Sequence, residues 1–146
     1  MREIAVNMNN LMDAMEITHE DLVSYLDTET GEVVEYWGQD EDGNKLVDGD
    51  VENSYYCDNR YIRIPAIESY ESYRFMEEFI PTVRNRHLQE MLEVAINGRG
   101  AFRRFKDVLG RYPDERERWF KFQRKMLEQW AIDWLRGEGI KVKAQP

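Results

Sequence analysis

The chain has 146 residues, 42% hydrophobic and 34% charged, with a formal net charge of −9 and one cysteine. That length fits a single domain with its own core, and 8 Tyr, 6 Phe and 4 Trp exclude a chain kept disordered by lack of apolar surface. One cysteine excludes an internal disulfide, no apolar run approaches a membrane span, and "MREIAVNMNNLMDAMEI" carries no signal-peptide core, so a cytoplasmic protein is expected.

Residues 3–6 read as a short strand. In "NNLMDAMEI" Leu11, Met12 and Met15 share one helical face, with Asn9 or Asn10 as the expected N-cap. "DLVSYLDTETGEVVEYW" is a hairpin signal, with β-rich runs at about 22–27 and 32–37 around Asp27-Thr28-Glu29-Thr30-Gly31. Asp27 is placed to accept turn amides, and Gly31 to take the positive φ of a type I turn with a G1 bulge. Residues 38–54, rich in glycine and acid, read as an exposed loop inserted in the domain. "RYIRIP" is a third strand that Pro65 ends, because proline cannot donate to a ladder.

From Ser69 the apolar period becomes helical. Ser69 is the expected N-cap of a helix that places Tyr70, Tyr73, Met76 and Ile80 on one face and stops at Pro81. A second helix at about 84–97 presents Leu88, Met91, Leu92, Ala95 and Ile96. A third at about 101–112 presents Phe102, Phe105, Val108, Leu109 and Tyr112. The longest starts at Asp114, which forms a capping-box pattern with Glu117, and carries a wide apolar stripe from Trp119 and Phe120 to Trp134 and Leu135. Gly137 and Gly139 end it, and "IKVK" reads as an edge strand with Lys141 and Lys143 facing water. The expected fold is one α+β domain over 1–146: a small antiparallel sheet of the hairpin and a third strand, with about four C-terminal helices.

The charge is divided along the chain. Residues 1–82 hold 5 Lys and Arg against 20 Asp and Glu, whereas residues 83–146 hold 15 against 9. The densest basic stretch is "NGRGAFRRFKDVL", residues 97–109. Gly98 is suited to an αL helix end, and Gly100 precedes the next helix. If Phe102, Phe105 and Leu109 turn inward, then Arg103, Arg104, Lys106 and Arg111 face outward, with Arg99 in the turn. Two readings are open: the bases pair with the acidic half, or Arg99, Gly100, Arg103, Arg104, Lys106 and Arg111 form a surface for an anion or a partner, aided by amides at the helix N-terminus.

Other chemistry has less to stand on. Asp40, Asp42 and Asn44 alternate as in a calcium loop, but Lys45 and Val51 occupy the positions where an EF-hand requires Gly and Glu. No motif joins Cys57 to His19 or His87, and no nucleophile elbow, zinc-protease helix, phosphate loop or paired-cysteine motif occurs, so no cofactor or metal is expected. A net charge of −9 disfavours duplex nucleic acid.

The stretches "YLDTETGEVVEYW" (25–37), "RYIRIPAIESYESYRFMEEFI" (60–80), "LEVAINGRGAFRRFKDVL" (92–109) and "ERERWFKFQRKMLEQWAIDWLRGEGI" (115–140) resemble the bacterial group named Uncharacterised Protein Family 0158. "GRGAFRRFKD" is the most specific of them. The resemblance spans nearly the whole chain and implies a small cytoplasmic bacterial protein, without an activity or a catalytic residue to carry over. The division of charge motivates the expectation of a non-enzymatic interaction or regulatory protein using the basic turn and helix at 97–111, with a protein partner or a second copy of the chain. The alternative is a module for a phosphorylated small molecule or single-stranded nucleic acid at the same helix N-terminus.

Overall fold

The computed structural model describes residues 2–17, 22–37 and 60–143. The acidic loop expected at 38–54, together with His19 and Cys57, lies outside the described residues. The chain forms two compact units, one of Met1–Ala66 with Glu128–Pro146 and one of Ile67–Leu127.

In the first unit, β1 (Arg2–Ile4) leads into α1 (Met8–Glu16), followed by β2 (Leu22–Asp27), β3 (Val33–Trp37), β4 (Tyr61–Arg63) and, near the C-terminus, β5 (Ile140–Val142). The expected antiparallel sheet is present in the order β3-β2-β4, with Tyr25 opposite Val34 on one side and Arg63 on the other. Being central, β2 has four consecutive buried residues, Ser24 to Asp27, rather than strict alternation. The "IKVK" segment pairs in parallel with β1, Ile4 opposite Val142, a partner that local pattern does not disclose. Lys141 and Lys143 face solvent as expected.

The hairpin turn follows its residues closely. Asp27 Oδ1 accepts the Glu29 amide at 2.9 Å and the Thr30 amide at 3.4 Å, while Gly31 has φ +78°. Gly31 is also fixed by its neighbour: a Cβ there would lie 2.0 Å from the Ala5 carbonyl oxygen. Arg60, just before β4, donates from Nε and Nη2 to the two Asp27 oxygens at 2.9 and 2.8 Å. The Arg60 carbonyl accepts in return from the Thr28 amide at 2.8 Å and the Thr28 hydroxyl at 2.6 Å. The Arg60 fork holds the Asp27 carboxyl well below the usual carboxylate range, helped by the Glu29 and Thr30 amides and opposed by burial.

In the second unit, α2 (Ser69–Phe79) runs through a 3₁₀ turn at Ile80–Thr82 to α3 (Arg86–Ala95) and α4 (Ala101–Leu109). The long α5 (Pro113–Gly137) contributes its residues up to Leu127. The apolar stripes meet in a core built on Phe75, Phe79, Leu88, Leu92, Phe105 and Trp119. Phe105 and Phe79 set their rings edge-on to Trp119, with centroids at 4.8 and 5.2 Å. Burying each such side chain contributes about 1.5–3 kcal/mol. Arg118 lies 4.7 Å over the Phe79 ring and donates to the Thr82 hydroxyl and to Glu115, fixing the first turns of α5 against the 3₁₀ turn.

Several boundaries and faces differ from the sequence reading. Asn7, not Asn9 or Asn10, caps α1 by accepting the Asn10 amide at 3.1 Å. Ser69 is the first residue of α2, already helical and so unable to cap it, and Glu68, extended at the cap position, makes no side-chain capping bond. Asp114 lies inside α5, whose first residue is Pro113, a position where the missing N–H costs nothing. Tyr70, Phe102 and Phe120 belong to apolar stripes in the sequence yet are 69%, 40% and 44% exposed. Each sits at the edge of its stripe, beyond the narrow arc that touches the core.

Candidate functional site

The expected α+β arrangement thus places "NGRGAFRRFKD" at the junction of α3 and α4. The α3 helix is capped at its start by Asn85, which accepts the Leu88 amide at 3.1 Å, and it ends at Ala95, whose carbonyl needs a partner from outside the helix. Positive φ at Gly98 and Gly100 then folds the chain back so sharply that the carbonyls of Ala95, Asn97 and Arg99 converge. One guanidinium serves all three. Arg104 donates from Nε to Ala95 at 2.9 Å, from Nη2 to Asn97 at 2.6 Å, and from Nη1 to Arg99. Tyr73 completes the cap, its hydroxyl donating to the Ile96 carbonyl at 2.7 Å. Gly100 is required by its φ of +79°, and a Cβ there would also stand 3.0 Å from Arg104 Nη1 and crowd the tip of that side chain.

The six candidate residues therefore divide. Gly100 and Arg104 build the turn, and Arg104 is bonded to backbone carbonyls rather than to carboxylates of the acidic half. Arg99, Arg103, Lys106 and Arg111 are exposed, and among the described residues none of them forms an ion pair. Phe102 stands exposed on α4 beside them. Arg103 and Arg104, adjacent in the sequence, point in different directions, because consecutive helical residues lie about 100° apart around the axis.

Two grooves flank α4. The one on the α3 side has a volume of about 570 Å³, a floor of Met91, Ala95 and Val108, and a rim of His87, Glu90, Arg104, Asp107 and Arg111. Val94 lines it and is 71% exposed. The other lies between α4 and the start of α5, measures about 470 Å³, and is lined by Lys106, Asp107, Leu109, Gly110, Arg116, Trp119 and Phe120. Arg116 holds its guanidinium 5.4 Å from the Phe120 ring centroid. Arg116 and Phe120 were not legible as surface residues from the apolar stripe; their i,i+4 spacing is the one sequence signal that places them together. Among the described residues, no group of three or more His, Cys, Asp and Glu is arranged to hold a metal ion, and no helix is long and apolar enough to cross a membrane.

No solved structure matches the chain. A curated relative, a UPF0158 protein of Pseudomonas aeruginosa, is 28% identical over 145 residues, which is 99% of this chain and 90% of the relative. The family model described as "Uncharacterised protein family (UPF0158)" matches residues 1–145, and the chain belongs to that family.

Proposed function

We propose that the chain is a non-enzymatic interaction protein whose contact surface is the outward side of the 97–111 turn and helix. The observation that carries this reading is the division of labour among its bases. Arg104 is consumed by the turn, while Arg99, Arg103, Lys106 and Arg111 project into solvent with no carboxylate partner among the described residues. Exposed Phe102 and Val94 give the same region apolar contact area. Cations interleaved with exposed apolar side chains suit a protein surface carrying acids around an apolar centre, where charge guides encounter and burial holds the complex. A second copy of the chain offers the acids from its residues 1–82, which hold 20 Asp and Glu against 5 Lys and Arg.

The test compares the wild type with an Arg99→Glu/Arg103→Glu/Arg111→Glu variant in size-exclusion chromatography and in affinity capture followed by cross-linking. A partner, or a second copy, that cross-links within 97–111 and is lost in the variant supports the surface. Retention of every partner by a variant that unfolds like the wild type contradicts it.

A further inference from the structure

We propose that the groove between α4 and the start of α5 is a binding site for a nucleotide unit, a planar base joined to a phosphate. It goes beyond the partner surface above, and of that surface's unpaired bases it uses only Lys106. Three features of one small groove point to that chemistry. The first is an exposed ring: Phe120 is 44% exposed at the rim, whereas its neighbour Trp119 is buried and forms the floor. The second is charge. Lys106 and Arg116 line the groove against the single carboxylate of Asp107, and neither cation forms an ion pair among the described residues. The third is size, since about 470 Å³ exceeds what an inorganic anion fills and falls within the range of small-ligand clefts.

Ring and cations are also placed to act together. The Arg116 guanidinium already lies over the Phe120 ring at 5.4 Å, so the side chain is held near the groove rather than sweeping solvent. A base stacks on the open part of Phe120 or on the flat guanidinium, while its phosphate is taken by Lys106 and the free edge of Arg116. A simple anion leaves the ring unused, and an apolar ligand leaves two cations against it uncompensated. A duplex fits poorly because its bases are stacked inside. A free mononucleotide and an unpaired nucleotide of a single strand present the same chemistry.

The experiment follows tryptophan fluorescence of the intact chain during titration with AMP, with a short single-stranded oligothymidylate, with its duplex, and with inorganic phosphate. AMP or the single strand is expected to bind, the duplex weakly or not at all, and phosphate more weakly than AMP. Binding by AMP assigns the site to free nucleotides, and binding by the oligonucleotide alone assigns it to single strands. Phe120→Ala and Arg116→Gln are each expected to weaken binding at least fivefold, with Phe120→Tyr close to the wild type. Arg99→Glu/Arg103→Glu, which tests the partner surface, is expected to leave AMP binding unchanged, so failure of either reading is seen separately. The proposal is overturned if neither nucleotide probe binds more tightly than phosphate, or if Phe120→Ala and Phe120→Tyr bind as the wild type does.

Discussion

Two arginines of the chain show what a guanidinium does when its partner is chosen for it by the fold. Arg60 forks onto Asp27, and Arg104 gathers three carbonyls of one turn. Arg104→Ala leaves those carbonyls to water, so its expected cost is modest, about 1 kcal/mol in urea unfolding, and Arg104→Lys recovers little because an ammonium cannot match three fixed directions. Asp27→Asn removes the charge that Arg60 and two turn amides share, and is expected to cost about 2 kcal/mol near neutral pH. The sign of its pH dependence follows from the lowered pKa. The folded carboxyl stays ionised where the unfolded one does not, so its contribution is complete above the ordinary carboxylate pKa of about 4 and declines as the pH falls below that. The gap between the unfolding midpoints of the wild type and Asp27→Asn is therefore expected to hold from neutral pH down to about pH 5 and to narrow steadily as the pH falls below about 4, and a gap that is the same at pH 2 as at pH 6 contradicts that role.

Among the elements, α4 is the informative one. Its nine residues carry an inward arc of Ala101, Phe105 and Leu109, with a groove along each flank. The turn before it depends on Gly100, and Gly100→Ala is expected to destabilise by about 1–2 kcal/mol through positive φ, with the Arg104 cap disturbed as well; a neutral result in thermal unfolding contradicts that role. Much at this scale was legible in the sequence. Both strands of the hairpin, the Asp27 and Gly31 roles, the third strand and the order of the C-terminal helices follow from local chemistry and periodicity. The parallel pairing of β1 with β5 was not legible, because its residues are separated by nearly the whole chain and no local pattern records the partner. The outward position of Phe102 and Phe120 was hidden for another reason: periodicity gives a face, and only packing says how wide an arc of it the core covers. Within the candidate site the bases were visible as charge, but the assignment of Arg104 to the turn required the positions of the carbonyls it bonds.

For the molecule as a whole, the acidic balance conceals a basic segment. Residues 97–127 carry ten Lys and Arg against four Asp and Glu in a chain of net charge −9. Charge arranged this way steers an acidic partner and falls off with ionic strength. Association through the 97–111 surface is accordingly expected to weaken several-fold between low and physiological salt, mainly through its on-rate, whereas an interface held by apolar contact alone changes little.

The most direct test of the division between structural and available bases is urea unfolding of the wild type, Arg104→Ala and Arg99→Ala/Arg103→Ala/Lys106→Ala at low and moderate salt. The account predicts that Arg104→Ala alone loses stability, equally at both salts, while the triple variant stays within about 0.5 kcal/mol of the wild type. If instead the triple variant is the less stable protein and the loss disappears at moderate salt, the outward bases are neutralised by the chain's own acids and the contact surface does not exist.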